Sequence, residues 1–283
     1  MRDLSVSASG SGDLHLSKLA LTNVRLAMSG PGDVDLAGLG GELDSGNSGS
    51  GDLRASGLHA TRVTAHMSGP GDVTLDGAAA KLKLEVSGSG DFDGCGMAVE
   101  AANAGLSGPG EAWVSGKIKS FEGEVHGSGD LTVRGLQSAG ARVQMSGPGN
   151  MKLDAVVGAL AVTISGSGDL EAGQLNVTSA DLRSSGPGNA QLATVSDALS
   201  ARPSGSGGLK ATLAAKRAEI SMSGPGRVRL TGSVENLKAT LLGSGDLQGR
   251  NLAAAHSEVN VDGPGTARVS DARYARGSWR QGR

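Results

Sequence analysis

The feature that most constrains this chain is a glycine triplet that recurs along almost its whole length. The triplet is Gly-Ser-Gly or Gly-Pro-Gly, and its middle residue alternates between Ser and Pro without exception. It returns at a nearly constant spacing of about 19–20 residues, which is the signature of a repeat architecture. The fourteen triplets begin at Gly10, Gly30, Gly49, Gly69, Gly88, Gly108, Gly127, Gly147, Gly166, Gly186, Gly205, Gly224, Gly243 and Gly263.

Each unit between triplets has the same internal pattern. The second residue after every triplet is apolar, as at Leu14, Val34 and Leu53. Short stretches in which apolar and polar residues alternate follow, for example at 24–28 and 82–86. Alternation at period two is typical of half-buried strands. The triplets indicate corners, where glycine permits a turn that other residues resist.

Strands this short can bury an apolar face only by stacking in register. The pattern therefore predicts an all-β fold, a β-solenoid that forms a single domain over residues 1–270. We expect one coil per unit, because small aliphatic side chains would not fill the wider coil that a pair of units would form, although the strict Ser/Pro alternation favours the pair. Fourteen coils about 4.8 Å apart would form a rod of roughly 65 Å. The Arg-rich segment 271–283 is predicted to be a tail or a cap.

Composition excludes several classes of function. A formal charge of −2 gives no reason to expect a nucleic acid or an anionic membrane as partner. Aromatic residues make up 2% of the chain, too few for a platform that stacks bases or sugars. The single cysteine, Cys95, excludes an internal disulfide and a multi-cysteine zinc site. No apolar run approaches the roughly 18 residues that span a bilayer, and no signal peptide is expected before the first triplet.

The repeat resembles the bacterial family of auto-transporter adhesin head GIN domains, whose members repeat an SGSGD phrase in two alternating half-repeats. Here the first half reads D-L-x4-L-x-A-x2-V-x3-M-S-G over 52–69, and the second reads D-V-x-L-x-G-x4-L-x-L-x-V-S-G over 72–88. The resemblance covers residues 5–270. It implies a right-handed parallel β-helix like that of pectin lyases, without their catalytic residues, and an adhesive protein in the periplasm or at the cell surface. The chain departs from the family in its alternate prolines and in the absence of an export signal.

The residue that follows each triplet is the main candidate for chemistry. After Gly-Ser-Gly it is Asp in six of seven units, whereas after Gly-Pro-Gly it varies among Asp, Glu, Asn, Arg and Thr. We favour the interpretation that Asp accepts hydrogen bonds from the amides of its own turn. A row of bound cations, with Ca²⁺ as the natural ion, is the alternative. Its ligands would be Asp13, Asp52, Asp91, Asp130, Asp169 and Asp246.

Other candidate residues favour structural roles. The triplets are not followed by a helix, so they do not predict a phosphate site. The five histidines occupy different positions in the repeat and are expected to be solvated. Cys95 has no evident partner base. The methionines before Gly-Pro-Gly are expected to fill the core rather than bind a soft metal, and they are Met28, Met67, Met145 and Met222.

The sequence therefore predicts a non-catalytic extracytoplasmic bacterial β-solenoid that binds a surface or a polysaccharide through strand faces and corners. No catalytic residue and no cofactor is assigned. Two alternatives stay open. One is a carbohydrate-active or polysaccharide-binding β-helix protein; an enzyme of this type would need clustered acids beside a cleft and aromatic side chains. The other is a structural rod stiffened by cations.

Overall fold

Eighteen parallel strands of one continuous sheet wind through the chain in this computed structural model, which describes residues 3–17 and 22–271. The predicted tail or cap lies outside the described residues beyond Asp271. The strands are β1 (Asp3–Ala8), β2 (Leu14–Leu16), β3 (Asn23–Met28), β4 (Val34–Ala37), β5 (Glu42–Asn47), β6 (Leu53–Met67), β7 (Val73–Val86), β8 (Phe92–Leu106), β9 (Ala112–Ile118), β10 (Ser120–Val125), β11 (Leu131–Met145), β12 (Met151–Ile164), β13 (Leu170–Ser184), β14 (Ala190–Pro203), β15 (Gly208–Met222), β16 (Arg227–Leu241), β17 (Asp246–Val261) and β18 (Thr266–Asp271).

The register between strands shows that one repeat unit is one coil. Leu53 of β6 pairs with Val73 of β7, and Val73 pairs in turn with Phe92 of β8. Each partner lies one triplet further along the chain, so the coil made of a single unit is confirmed and the coil made of a pair of units is excluded. The fold is the predicted parallel β-solenoid. Its right-handed winding stays a prediction, in line with the strong preference of parallel crossover connections for that hand.

A single narrow core runs along the solenoid axis. Alternate side chains of each strand point into it, and in β6 these begin with Leu53, Ala55 and Leu58, each at most 2% exposed. Equivalent side chains of successive coils stack on one another, and both phenylalanines, Phe92 and Phe121, lie inside. Burial of one leucine side chain in such a stack contributes about 1.5–3 kcal/mol. Alternation at period two thus produces the core that it predicts.

The structure accommodates the alternation between units of 20 and 19 residues at one local place in the strand. Units that follow Gly-Ser-Gly carry one extra residue, which is absorbed at a register shift in the first part of the strand. In β6 the shift lies between Ala55 and Leu58, where Gly57 has φ 62°. Gly135 has φ 74° at the same place in β11. The unit that begins at Gly208 is one residue short, and β15 pairs with β16 without any shift.

From Gly30 onward, the triplet glycines approach the preceding coil too closely for any side chain. Gly69 and Gly71 are buried. A Cβ added to Gly71 would lie 2.1 Å from the carbonyl oxygen of Gly51, and one added to Gly69 would lie 2.2 Å from that of Gly49. None of the described triplet glycines has a φ in the left-handed region. The expectation that glycine is needed for the turn is therefore corrected: it is needed because two backbones touch.

We predict that Gly71→Ala destabilises the solenoid strongly, because its Cβ must push a whole coil away from its neighbour. The expected loss is about 2–3 kcal/mol or more of unfolding free energy, measured by chemical denaturation followed by circular dichroism. Gly12→Ala is the matched control, since a Cβ at Gly12 meets nothing within 4 Å. Its effect should stay within about 0.5 kcal/mol. Equal losses in the two variants would contradict the contact.

Candidate functional site: the acid row

The residues that follow the triplets form one row along the solenoid, which we call the acid row. Because equivalent residues of successive coils are neighbours, members of the row are about 4.8 Å apart. Of the six aspartates of the predicted cation row, the first five are therefore two coils apart, with the residues that follow Gly-Pro-Gly between them. Asp169 and Asp246 are four coils apart, because Gly208 takes the place of an aspartate. In chain order the row is Asp13, Asp33, Asp52, Asp72, Asp91, Glu111, Asp130, Asn150, Asp169, Asn189, Gly208, Arg227, Asp246 and Thr266.

Members of the acid row are linked by hydrogen bonds from main chain to side chain. The backbone N–H of Asp52 donates to Oδ1 of Asp33 at 2.8 Å, and that of Asp72 donates to Oδ1 of Asp52 at 2.9 Å. Nine such bonds, of 2.7–3.1 Å, are present between successive coils in the described chain. The expectation that Asp accepts from its own turn is thus corrected, because the donor belongs to the next coil.

The residue types that the row tolerates follow from this geometry. Asn150 and Asn189 keep an oxygen at the Oδ1 position, and they accept from Asp169 and Gly208 at 2.9 and 2.8 Å. The backbone N–H of Glu111 donates to Asp91, but the carboxylate of Glu111 accepts no bond from the next coil in the described structure, because it stands one methylene further from the backbone. Gly208 and Arg227 have no oxygen to offer. From Asp13 to Asn189, Asp and Asn therefore extend the row, whereas Glu111, Gly208 and Arg227 interrupt it. Asp246 accepts instead from the hydroxyl of Thr266, whose N–H donates to the carbonyl of Gly245.

The alternation of Ser and Pro inside the triplets has a related explanation. The glycine after the middle residue donates its N–H to the preceding coil, as Gly51 does to Gly30 and Gly71 to Gly49, both at 3.2 Å. The middle residue makes no such backbone bond in either kind of triplet in the described chain. Proline, which lacks an N–H, therefore costs no inter-coil hydrogen bond here, and its fixed φ suits the corner.

The acid row provides isolated carboxylates rather than a closed ligand set. In residues 3–17 and 22–271, no three His, Cys, Asp or Glu side chains come together as a metal site would require. In each bonded Asp, one of the two oxygens already accepts a backbone N–H. Calcium binds six to eight oxygens, more than one such carboxylate supplies. The cation row stays a prediction.

We predict that Asp91→Ala lowers the unfolding free energy by about 1 kcal/mol, because the N–H of Glu111 loses its acceptor. Asp91→Asn should cost less than about 0.5 kcal/mol, since it keeps the acceptor. Glu111→Asp should stabilise the protein by roughly 0.5–1 kcal/mol, because it adds a bond to the coil of Asp130. Chemical denaturation of the three variants measures all of these effects.

A control separates this interpretation from bound cations. If cations hold the row together, a chelator lowers the melting temperature of the unaltered protein, and Asp91→Asn is then nearly as harmful as Asp91→Ala. If hydrogen bonds hold it together, the chelator has no effect and the two variants differ.

A serine, a histidine and a glutamate lie close together at one corner, which the sequence did not predict. His126 Nδ1 is 2.5 Å from Ser146 Oγ, and its Nε2 is 3.5 Å from Glu124 Oε2. Hydrolases that use such groups also need free N–H donors for the oxyanion. The N–H groups of Ser146 and Gly147 both donate to the carbonyl of Val125, at 2.9 and 3.3 Å. They are therefore not available to a substrate.

The remaining predicted residues take structural positions. Cys95 lies on the surface. Partial desolvation is the main cause that raises the pKa of its thiol, and the neighbouring Asp93 is the second; both disfavour the reactive thiolate. His15 and His66 lie on the surface, 2.7 and 2.8 Å from the carboxylates of Asp35 and Glu85. The four methionines before Gly-Pro-Gly are each at most 2% exposed, so their predicted core position is confirmed: Met28, Met67, Met145 and Met222.

Comparison with known proteins assigns the chain to a family. A family model described as "Putative auto-transporter adhesin, head GIN domain" matches residues 1–98, 59–135, 115–212 and 194–282. The chain belongs to this family. The four matches overlap and together cover nearly the whole sequence, so the resemblance carried by the alternating half-repeats is confirmed. No match was found among curated proteins or among solved structures.

Proposed function

We propose that the protein is a non-catalytic extracytoplasmic module that binds surfaces, with an adhesin-like role. Membership of an adhesin head-domain family is the observation that carries the proposal. The fold is compatible with it, because a stacked solenoid presents long continuous faces. In the described residues, no helix is long and apolar enough to cross a membrane.

The division between inward and outward positions supports a role in binding. The second residue after each triplet faces the core and is always apolar, whereas the next residue faces outward and varies freely. We call these outward residues the outer row. The register pairs them in successive coils, and they are His15, Asp35, Arg54, Thr74, Asp93, Trp113, Thr132, Lys152, Glu171, Gln191, Lys210, Arg229, Gln248 and Arg268.

Because the core does not fix the residue type in the outer row, its exposed side chains are available for contacts with a partner. Side chains at equivalent places on successive coils repeat at the spacing of the sheet, about 4.8 Å. A partner with its own repeating groups could therefore bind several coils at once, so that weak single contacts add up. Surfaces of cells and polysaccharides have such repeating groups.

The chemistry of the described side chains supports a non-catalytic role. The N–H groups of Ser146 and Gly147, beside the Ser146–His126 pair, both donate to the carbonyl of Val125, and the pKa of the Cys95 thiol is raised. A carbohydrate-active enzyme would need aromatic side chains beside its acids, and Trp113 is half-buried in the outer row, between Asp93 and Thr132. A single half-buried tryptophan can contact one sugar ring, but it does not form an active-site cleft.

The proposal predicts that the protein is accessible from outside the bacterium that produces it. Intact cells are treated with an external protease, and the protein is detected with an antibody. Loss of the antibody signal from intact cells supports surface exposure, and loss only after the outer envelope is permeabilised supports a periplasmic position. Persistence of the signal until the cytoplasm is released contradicts the proposal. A cytoplasmic marker protein that survives the treatment is the control for cell integrity.

A further inference from the structure

The C-terminal end of the outer row is a cluster of cations without acidic partners. Lys210 pairs in register with Arg229, Arg229 with Gln248, and Gln248 with Arg268. Lys210, Arg229 and Arg268 are exposed. We call these three cations the basic row. They lie on consecutive or alternate coils of β15 to β18, so their charges are aligned along the solenoid axis.

The charges of the basic row are not neutralised within the described structure. No carboxylate of the described residues lies within 4 Å of Lys210, Arg229 or Arg268, whereas twelve ion pairs form elsewhere. The guanidinium of Arg229 donates instead to the neutral Oε1 of Gln248, from Nη2 at 3.1 Å and from Nε at 3.3 Å. This contact orients the guanidinium and leaves its charge uncompensated.

Further cations surround the basic row. Arg250 lines, together with the three cations of the row, an open depression of about 450 Å³. Arg227, in the acid row, adjoins Lys210 and Arg229 in a neighbouring depression whose far side carries Asp169 and Glu171, and its guanidinium is 3.9 Å from Asp246. A chain with a net charge of −2 thus concentrates positive charge in one place.

The rest of the outer row does not share this property. His15 lies beside Asp35 at 2.7 Å, and Lys152 lies 3.8 Å from Glu171. Arg54 stands between Asp35 and Thr74. Positive and negative side chains are mixed along this part of the outer row. Among the described members of the outer row, uncompensated cations occur close together only at the end that begins with Lys210.

We propose that the basic row binds an anionic polysaccharide whose carboxylate or sulfate groups run along the solenoid axis. The inference rests on the proposed role in surface binding, and it names the ligand class and the place. Arginine suits such a ligand, because its planar guanidinium can donate two parallel hydrogen bonds to one carboxylate or sulfate. Cations aligned at the spacing of the sheet can engage successive anionic groups of one polymer.

The structure favours a polysaccharide over other polyanions. Single-stranded nucleic acid is held by aromatic side chains that stack on its bases, and none adjoins the basic row among the described residues. Duplex DNA is read by an element that enters a groove, whereas the basic row lies on the face of a sheet. An anionic membrane surface is bound best when apolar side chains accompany the cations, and the exposed residues beside this row are polar.

The test compares polymers that differ in charge alone. Uncharged dextran, carboxymethyl dextran and dextran sulfate are immobilised, and binding of the purified full chain is measured at about 50 and about 200 mM NaCl. The unaltered protein should bind the two charged polymers and not dextran, with an affinity that falls by about one to two orders of magnitude over this salt range. The triple variant Lys210→Gln, Arg229→Gln, Arg268→Gln should bind at least about tenfold more weakly.

The matched control removes the same charge from the same side of the solenoid. The triple variant Arg54→Gln, Arg134→Gln, Lys152→Gln should keep its affinity, because these exposed cations lie outside the basic row. Circular dichroism verifies that both triple variants are folded. Equal losses in both would show a general charge effect and overturn the assignment of the site.

Two further outcomes would also overturn the inference. One is a lack of binding to the charged dextrans by a protein that is exposed at the cell surface, which leaves the proposed function intact. The other is tighter binding to a DNA duplex, or to vesicles of phosphatidylglycerol, than to either charged dextran. A protein confined to the cytoplasm would instead refute the proposed function itself, whatever it binds in solution.

Discussion

The close contact between the triplet glycines of successive coils is the constraint on which the rest of the structure depends. From Gly30 onward, each triplet glycine lies against a backbone carbonyl of the coil before it, at a distance that leaves no room for a Cβ, as Gly71 shows against Gly51. Because of this contact, the corner at each triplet packs backbone against backbone, without side chains of its own in the core. The core therefore needs side chains from the strands only, and it stays narrow enough for Leu, Val, Ala and Met to fill. This explains a fold with so few aromatic residues.

The same contact fixes the position of the residues that follow each triplet, and this gives the acid row its regularity. Because the backbones are held at a constant distance, an Oδ1 atom at one coil meets an N–H at the next along most of the solenoid. The first seven members of the row are acidic, so they repel one another. The hydrogen bonds that these carboxylates accept from backbone N–H groups offset part of that repulsion. Towards the C-terminal end the row changes to Asn, Gly, Arg and Thr, and the basic row begins beside it at Lys210.

Much of the fold could be predicted from the sequence, because local spacing determines it. Alternation at period two specified the strands and their inward faces, and the position of Met67 and its equivalents specified the core. The size of the core residues favoured a coil of one unit, but the Ser/Pro alternation left a coil of two units open until the register was known. What the sequence could not show was which groups meet across coils. The bond from the N–H of Asp52 to Asp33 joins two coils. A bond within the turn of one coil would require an aspartate at the same sequence position, so the sequence alone does not distinguish the two arrangements.

The same limit applies to the candidate functional residues. Ser146 and His126 lie on adjacent coils at the same place in the sequence pattern, since His126 replaces the serine that usually precedes the triplet. Lys210 and Arg268 are separated by three coils, and the net charge of the chain conceals the cluster that they form with Arg229. Neither arrangement can be identified until the register is known. The register is therefore the property that connects the sequence to both the site and the proposed function.

Disulfide trapping tests that register most directly. In a Cys95→Ser background, the pair Arg54→Cys and Thr74→Cys places two cysteines on adjacent coils, and the pair Arg54→Cys and Asp93→Cys places them two coils apart. Adjacent parallel strands are about 4.8 Å apart, within the range that a disulfide spans, whereas two coils separate residues by about 9.6 Å. Under mild oxidation the first pair should form an intramolecular disulfide and the second should not. Efficient bridging of the second pair without the first would show that two units make one coil and would contradict the structure.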